Sequence, residues 1–147
     1  MAVEVIEGTL APTQPKSRKR GYGRYPQLVV TTLDGGERKL AKVAAGPAMV
    51  EQIALGGDGK YYVAKADGAL ALCGVRRPDG AAHYAHWSNL EPILLVVAVL
   101  GLGVGLLRFG FGVDAPLTPI VLAPILLLFW LYLRNQRLSA RRAFDAG

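Results

Sequence analysis

The sequence is poor in the residues from which disulfides and metal sites are built. It has one cysteine, Cys73, and two histidines, His83 and His86. A single cysteine excludes an intramolecular disulfide, which suits a reducing compartment. The histidines are three residues apart in "HYAHW", so an extended strand would point them to opposite sides, and no second pair of ligands lies at metal-ligand spacing. The sequence therefore predicts no metal site, and it favours a place for both histidines in an interfacial aromatic belt.

Patterns that indicate catalysis are also missing. Cys73 lies in the apolar stretch "ALALCGV", where a buried thiol is usual, and the sequence places no histidine beside it as a base. The glycine-rich "GGDGK" (residues 56–60) is followed by Tyr61, whereas a phosphate-binding loop needs Ser or Thr after the lysine and a helix next. We interpret this stretch as a turn whose glycines adopt positive φ. The sequence predicts neither an enzyme nor a cofactor.

Charge is nearly absent from residues 92–133, which contain only Arg108 and Asp114. A segment this apolar cannot be the core of a soluble domain of this size, because nothing would remain to cover it; the alternative, a buried hairpin in a soluble protein, would need a partner for its apolar surface. Residues 92–113 and 116–133 each approach or exceed the roughly 20 residues that cross a hydrocarbon core. Only residues 114–115 separate them, so the sequence predicts a transmembrane helical hairpin.

The tail, residues 134–147, indicates which side of the membrane the chain ends on. Cationic flanks stay on the cytoplasmic side, and two spans would return residues 1–91 to that side, with residues 114–115 outside. The opening "MAVEVIEGTL" has acids where a signal peptide would be apolar, and Arg108 near the outer end can reach headgroups. The opposite orientation would translocate the N-terminal domain. We predict a multi-pass inner-membrane protein with both ends cytoplasmic, from the tail residues Arg134, Arg137, Arg141 and Arg142.

Residues 1–91 alternate short strand patterns with turn signals. "VEVIEGTL" alternates in polarity, and "QLVVTTL" and "ERKLAKV" flank the hairpin turn "DGG" at residues 34–36. Pro47 is typical of a helix start and the Gly56-Gly57 pair of its end. "YYVAKA", a turn at Asp67 and Gly68, and "ALALCGVRR" form a second hairpin before the strand "AAHYAHW". Five to six strands with a short helical insertion resemble a small all-β barrel of the OB or SH3-like kind.

One stretch of this domain, "PKSRKRGYGRYPQLVV" (residues 15–30), has no acidic residue. It could contact anionic lipid, contact nucleic acid or be a solvated loop. OB barrels often bind oligonucleotides, and Tyr22 and Tyr25 would be stacking platforms, but we expect them in a Gly-Pro-rich loop, and twelve Lys or Arg against nine Asp or Glu is a slight excess. A tether at Pro92 makes lipid the nearest anion. We predict an anionic-surface contact by Lys16, Arg18, Lys19, Arg20 and Arg24.

The spans themselves contain small residues and prolines. Gly101 and Gly105 form a Gly-x-x-x-Gly pair that predicts close helix packing within the hairpin or between copies, although glycines are also frequent in membrane helices. Pro119 and Pro124 predict a kink in the second span. Neither span has an acid, histidine or amide that would line a path for an ion. The sequence predicts a non-catalytic membrane accessory or binding module with a protein partner or a second copy in the membrane; the alternative is a membrane-tethered OB-type nucleic-acid-binding protein.

Overall fold

A computed structural model describes residues 3–66, 69–87, 90–112, 114 and 116–147. The chain divides into two compact units. The first unit comprises Met1–Ser88 together with Ser139–Gly147, and the second comprises Asn89–Leu138. The predicted turn at Asp67 and Gly68 lies outside the described residues.

The first unit consists of short strands and one short helix. In chain order these are β1 (Val3–Leu10), β2 (Ser17–Lys19), β3 (Tyr22–Thr32), β4 (Glu37–Ala45), α1 (Pro47–Leu55), β5 (Gly57–Ala66), β6 (Ala69–Arg76) and β7 (Ala82–Tyr84). The hairpin predicted around residues 34–36 is confirmed as β3 and β4. The predicted helical insertion is also confirmed, since Pro47 is its first residue and Gly56, at φ 63°, ends it with its N–H bonded to the carbonyls of Gln52 and Ile53.

Five of the strands close into a barrel. The order is β1-β5-β6-β4-β3, and the barrel closes where residues 8–10 of β1 pair with residues 30–32 of β3. All neighbours are antiparallel except β4 and β6, which run parallel over residues 43–45 and 70–72. The short β2 continues the sheet beyond β3, and β7 pairs with β6. The predicted small β-barrel is therefore confirmed.

The barrel interior is filled by alternate side chains of its strands and by one face of α1. Tyr25, Leu28 and Tyr61 are each 1% exposed, and α1 contributes Met49 and Ile53, both at 0%. These side chains belong to one continuous apolar cluster. Burial of this order stabilises a fold by about 1.5–3 kcal/mol for each large side chain, so this cluster is the main source of barrel stability.

Two sequence interpretations in this unit are wrong. Tyr22 and Tyr25 lie in strand β3 and not in a loop, because β2 and β4 supply pairing partners on both sides. The stretch "GGDGK" is not a turn, because residues 57–60 already pair with residues 7–10 of β1 as the start of β5. Of its glycines only Gly56 and Gly57 have positive φ. Gly59 is extended and passes so close to β6 that an added Cβ would lie 2.8 Å from the Arg76 carbonyl oxygen.

The second unit contains the helix α2 (Leu90–Phe111) and the greater part of α3 (Thr118–Ala146). Both helices are long and apolar enough to span a membrane, with mean hydropathies of 2.4 and 1.5. Only 17% and 6% of their most apolar windows is buried, so they are not core helices of a soluble domain. Helix α3 continues through residues 134–146, which the sequence predicts to be a tail.

Candidate functional site

The five cations singled out in the sequence lie on one ribbon made by β2 and the start of β3. Ser17 pairs with Arg24 and Lys19 with Tyr22, and the turn between the strands has positive φ at Arg20 and Gly21. The Lys16 N–H donates a 2.9 Å bond to the Arg24 carbonyl, which extends the ribbon by one residue. We call this element the basic ribbon; its exposed cations are Lys16, Arg18, Lys19, Arg20 and Arg24.

Strand alternation distributes these cations over two sides of the ribbon. Lys19 and Arg24 share one side, because Lys19 stands opposite Tyr22 and Arg24 lies two residues further along β3. Arg18 points to the other side, opposite the buried Gly23. There it lies near the buried phenol of Tyr25. Burial raises the pKa of Tyr25, and the charge of Arg18 offsets part of this rise. The ribbon therefore offers two cations to one surface, and Arg18 to the opposite one.

Lys42 lies next to the ribbon and was missed in the sequence. It is exposed and sits between Ala41 and Val43, which pair with Gln27 and Tyr25 on either side of Pro26. Its φ of 53° is rare for a residue other than glycine, asparagine or aspartate. Pro26 has no N–H to donate to β4, so the ladder is interrupted where Lys42 deviates. We call Lys19, Arg24 and Lys42 the basic face.

Among the described residues, the charges of the basic ribbon and of Lys42 have no acidic partner at ion-pair distance. Within the described part of the chain, no ion pair joins any of them to an acid, whereas the barrel cations Arg38 and Lys60 pair with Glu4 and Glu7 at 2.5 and 3.7 Å. The positive potential is therefore directed to solvent or to an anionic partner. The face contains little aromatic surface, since Tyr22 is half-buried and Tyr25 is only 1% exposed. The proposed stacking role of Tyr25 is wrong.

In the second unit, Gly101 lies where α2 and α3 approach most closely. A Cβ at Gly101 would lie 2.6 Å from the Pro119 carbonyl oxygen and 2.9 Å from the Ala123 Cβ. At Gly105 the nearest atom would be the Ile120 Cγ2 at 3.5 Å, and at Gly103 nothing lies within 4 Å. The glycines therefore differ, although the sequence presents them as equivalent.

This difference gives a matched pair of variants. Gly101→Leu should separate the helices and lower the free energy of unfolding of the hairpin by about 1–3 kcal/mol, because the added side chain meets backbone that cannot move aside. Gly103→Leu adds the same bulk where there is space and should leave stability nearly unchanged. Thermal unfolding in detergent and the oligomer distribution would be compared. Equal effects of the two variants would contradict this packing.

Ion pairs close the hairpin at both ends of an uncharged stretch. Arg137 lies 3.2 Å from Glu91, whose side chain is 11% exposed, and Arg108 lies 3.5 Å from Asp114. The rise from Glu91 to Arg108 along α2 is about 25 Å at ~1.5 Å per residue, close to the roughly 30 Å of a hydrocarbon core. The Arg134 guanidinium lies 5.1 Å from the Trp130 ring centroid, as is typical of residues at a membrane interface.

Cys73 and the two histidines make contacts within the fold. The Cys73 thiol is fully buried and donates to the Tyr62 carbonyl oxygen at 3.1 Å, and burial raises its pKa to about 12. A thiolate nucleophile would therefore not form at neutral pH. His83 lies in β7, and His86 contacts the Trp87 ring edge-on. No group of three potential metal ligands occurs among the described residues.

A second apolar cluster on the outside of the barrel was not predicted. The ring of Phe144, from the segment Ser139–Gly147, lies 4.9 Å from the Tyr62 ring and 5.5 Å from the Tyr84 ring, measured between centroids. The Arg76 guanidinium stacks over it at 5.0 Å and donates to the Phe144 carbonyl oxygen at 2.6 Å. We call the site formed by Tyr62, Gly74, Arg76 and Tyr84 the aromatic socket.

A cleft of about 460 Å³ lies beside this socket, and its charges are of both signs. Lys60 is paired with Glu7 at 3.7 Å. Arg77 donates to the backbone carbonyls of Gly56 and Gln52, which ties the end of α1 to the start of β5. Both cations are therefore engaged in contacts within the barrel unit.

Comparison of the chain with protein-family models, with curated proteins and with solved structures finds no match. The chain's two distinctive surfaces are the basic face of the barrel and the exposed apolar sides of α2 and α3.

Proposed function

We propose that the chain is a non-catalytic integral membrane protein, an accessory or binding module whose barrel domain is presented at the cytoplasmic membrane surface. The observation that carries this proposal is the exposure of large apolar side chains on both long helices. Leu100, Leu106 and Leu128 are 65%, 69% and 68% exposed. Apolar surface of this extent needs lipid or protein to cover it. The ion pairs at the two ends of the uncharged stretch lie where headgroups would begin.

We assign the barrel to the OB type and not to the SH3-like type. In an OB barrel the first strand pairs with the second and the fourth, the third runs parallel to the fifth, and a helix connects the third and fourth. Counting β1, β3, β4, β5 and β6 as the five strands, the order β1-β5-β6-β4-β3, the parallel pair and the position of α1 support this assignment.

The orientation follows from the arginines after the second apolar stretch. Four arginines between residues 134 and 142, against one at position 108, favour a cytoplasmic location for the end of α3 and, with two spans, for the barrel. A protein partner or a second copy in the membrane would cover part of the exposed apolar surface.

Selective labelling tests both the membrane location and the orientation. In a Cys73→Ala background, Pro116→Cys should react with an impermeant thiol reagent in intact cells, whereas Arg142→Cys should react only after the cells are opened. Both variants should stay in the pellet after alkaline carbonate extraction. Release by carbonate would contradict membrane integration. If Arg142→Cys alone were labelled in intact cells, the orientation would be the reverse of the one proposed.

The basic face indicates that the barrel binds an anionic partner. Each Lys or Arg near an anionic leaflet contributes on the order of 1 kcal/mol, and a tethered domain meets lipid at high effective concentration. Stacking of bases on aromatic side chains, which dominates single-strand recognition, has little surface here because Tyr25 is in the core. We therefore propose that the basic face contacts anionic headgroups.

Nucleic acid is the second candidate, and one observation favours it. Arg24 and Lys42 lie on β3 and β4, which in an OB barrel are the second and third strands, the face that binds oligonucleotides and oligosaccharides in that class. A phosphate backbone would satisfy the same cations without stacking. The two candidates predict different competition by oligonucleotide.

A further inference from the structure

The segment Ser139–Gly147 buries two of its side chains against the barrel. Of its side chains only Ala140 and Phe144 are buried, at 0% and 6% exposure, and they are four residues apart on one side of α3. Arg141, Arg142 and Asp145 are exposed. Phe144 is thus the buried aromatic anchor of the segment, and the Arg141 guanidinium lies 5.8 Å from the Tyr84 ring centroid.

The aromatic socket is shaped for that ring. A Cβ at Gly74 would lie 2.5 Å from the Phe144 ring, so only glycine leaves the space that the ring fills. Tyr62 is in edge contact with the ring, at an interplanar angle of 72°, and Arg76 covers it as well as bonding the Phe144 carbonyl. The site thus recognises both a ring and the carbonyl of the residue that carries it.

The barrel's own core does not depend on this segment. The interior cluster contains no residue from Ser139–Gly147. Phe144 and Ala140 belong instead to a separate cluster with Tyr62, Ala64 and Cys73. Alternation along β5 explains the separation, since Tyr61 and Val63 point into the barrel and Tyr62 and Ala64 point outward. Removing the segment would expose an outer surface and leave the barrel filled.

We propose that the aromatic socket is a docking site for an aromatic helix end, and that Phe144 occupies it as a releasable intramolecular ligand. In the docked state the segment hides the socket and Cys73. In the released state the socket is open to residues 139–147 of a second copy of the chain, which carry the same phenylalanine. This inference concerns the barrel and its C-terminal segment and does not depend on the proposed membrane function.

Cys73 is the only cysteine in the chain, so its reaction with a thiol reagent reports the covered state directly. The full chain in detergent would be treated with excess reagent and the rate followed. We expect slow reaction in the unsubstituted protein and at least ten-fold faster reaction in Phe144→Ala. The matched control is Arg142→Ala, which shortens an exposed side chain on the same turn of α3 and should react at the unsubstituted rate.

A peptide of residues 134–147 supplies the ligand in trans. Added to Phe144→Ala, it should slow the Cys73 reaction again, and the same peptide with alanine in place of the phenylalanine should not. Gly74→Ala, which crowds the socket from the barrel side, should react faster and should not be protected by the peptide.

Three results would overturn the inference. The first is an unchanged Cys73 rate in Phe144→Ala. The second is that Cys73 reacts faster in Phe144→Ala and Gly74→Ala only because the barrel has lost its thermal transition. The segment would then be an inseparable part of the fold. The third is failure of the phenylalanine peptide to protect Cys73 in a Phe144→Ala variant that remains folded.

Discussion

Gly8→Ala should lower the free energy of unfolding of the barrel by about 3 kcal/mol, because a Cβ at this position collides with the Thr31 carbonyl oxygen. Gly8 pairs with Thr32 at the seam that closes the barrel. The obstacle is backbone of the neighbouring strand, so relief requires the strands to move apart. Thermal unfolding of the full chain in detergent, followed by the β-strand signal in circular dichroism, would measure the loss.

Val5→Thr is the control for this substitution. Val5 lies on the same strand and is 50% exposed, and threonine keeps its β-branched shape. Its effect should stay within about 0.5 kcal/mol, as for most surface substitutions. If Gly8→Ala unfolds at the same temperature as Val5→Thr, the seam is looser than the contact at Thr31 implies.

The local elements of the barrel could be predicted because their signals are local. The "DGG" turn follows a β-branched stretch and by itself indicates a hairpin. Pro47 and Gly56 limit α1 by their backbone preferences alone. The same reasoning misplaced residues 57–60, where three glycines suggested a turn. Pairing with β1 along its whole length keeps this stretch extended, and that partner is about fifty residues away in the chain.

Part of the candidate site depends on contacts that no local pattern encodes. Tyr25 looked like an exposed aromatic among cations, yet pairing with β4 turns it into the core. Lys42 lies beside Arg24 only because its neighbours Ala41 and Val43 pair with β3. Phe144 meets Tyr62 and Gly74 across some seventy to eighty residues, and a lone phenylalanine in a basic tail gives no sign of this.

For the two apolar helices, the sequence predicts the elements but not the packing between them. Their existence follows from composition, since residues 92–133 hold two charges, but the packing between them does not. Gly101 and Gly103 are equivalent in hydropathy, whereas only Gly101 faces the α3 backbone. Composition thus predicts that α2 and α3 need an apolar environment. Only the three-dimensional structure shows which of their residues pack against each other.

Neutralising the basic face should reduce the attraction of the barrel to anionic lipid roughly 100-fold. The variant is Lys19→Gln, Arg24→Gln and Lys42→Gln, and the estimate takes about 1 kcal/mol for each cation. An environment-sensitive dye on Gln14→Cys, in a Cys73→Ala background, would report contact in nanodiscs of anionic or zwitterionic lipid. The signal should depend on anionic lipid and fade with salt, because the Debye length is only about 8 Å at physiological ionic strength.

The charge-matched control is Arg38→Gln, Lys60→Gln and Lys65→Gln, which removes three exposed cations of β4 and β5 that lie outside the basic face. Two of these are already paired with acids, so the control should retain most of the lipid signal. Equal losses in the two triple variants would mean that net charge, and not the basic face, attracts the barrel.

Single-stranded oligonucleotide separates the two candidate ligands. Lipid contact through the basic face predicts that oligonucleotide displaces the dye signal weakly and only at low salt, because charge is the sole attraction that both ligands share. Stacking would add roughly 1–3 kcal/mol for each base, and Tyr22 is the one aromatic residue of the ribbon left to provide it. Oligonucleotide that stays bound at salt sufficient to release lipid, and that Tyr22→Ala releases, would establish nucleic acid as the ligand of this face.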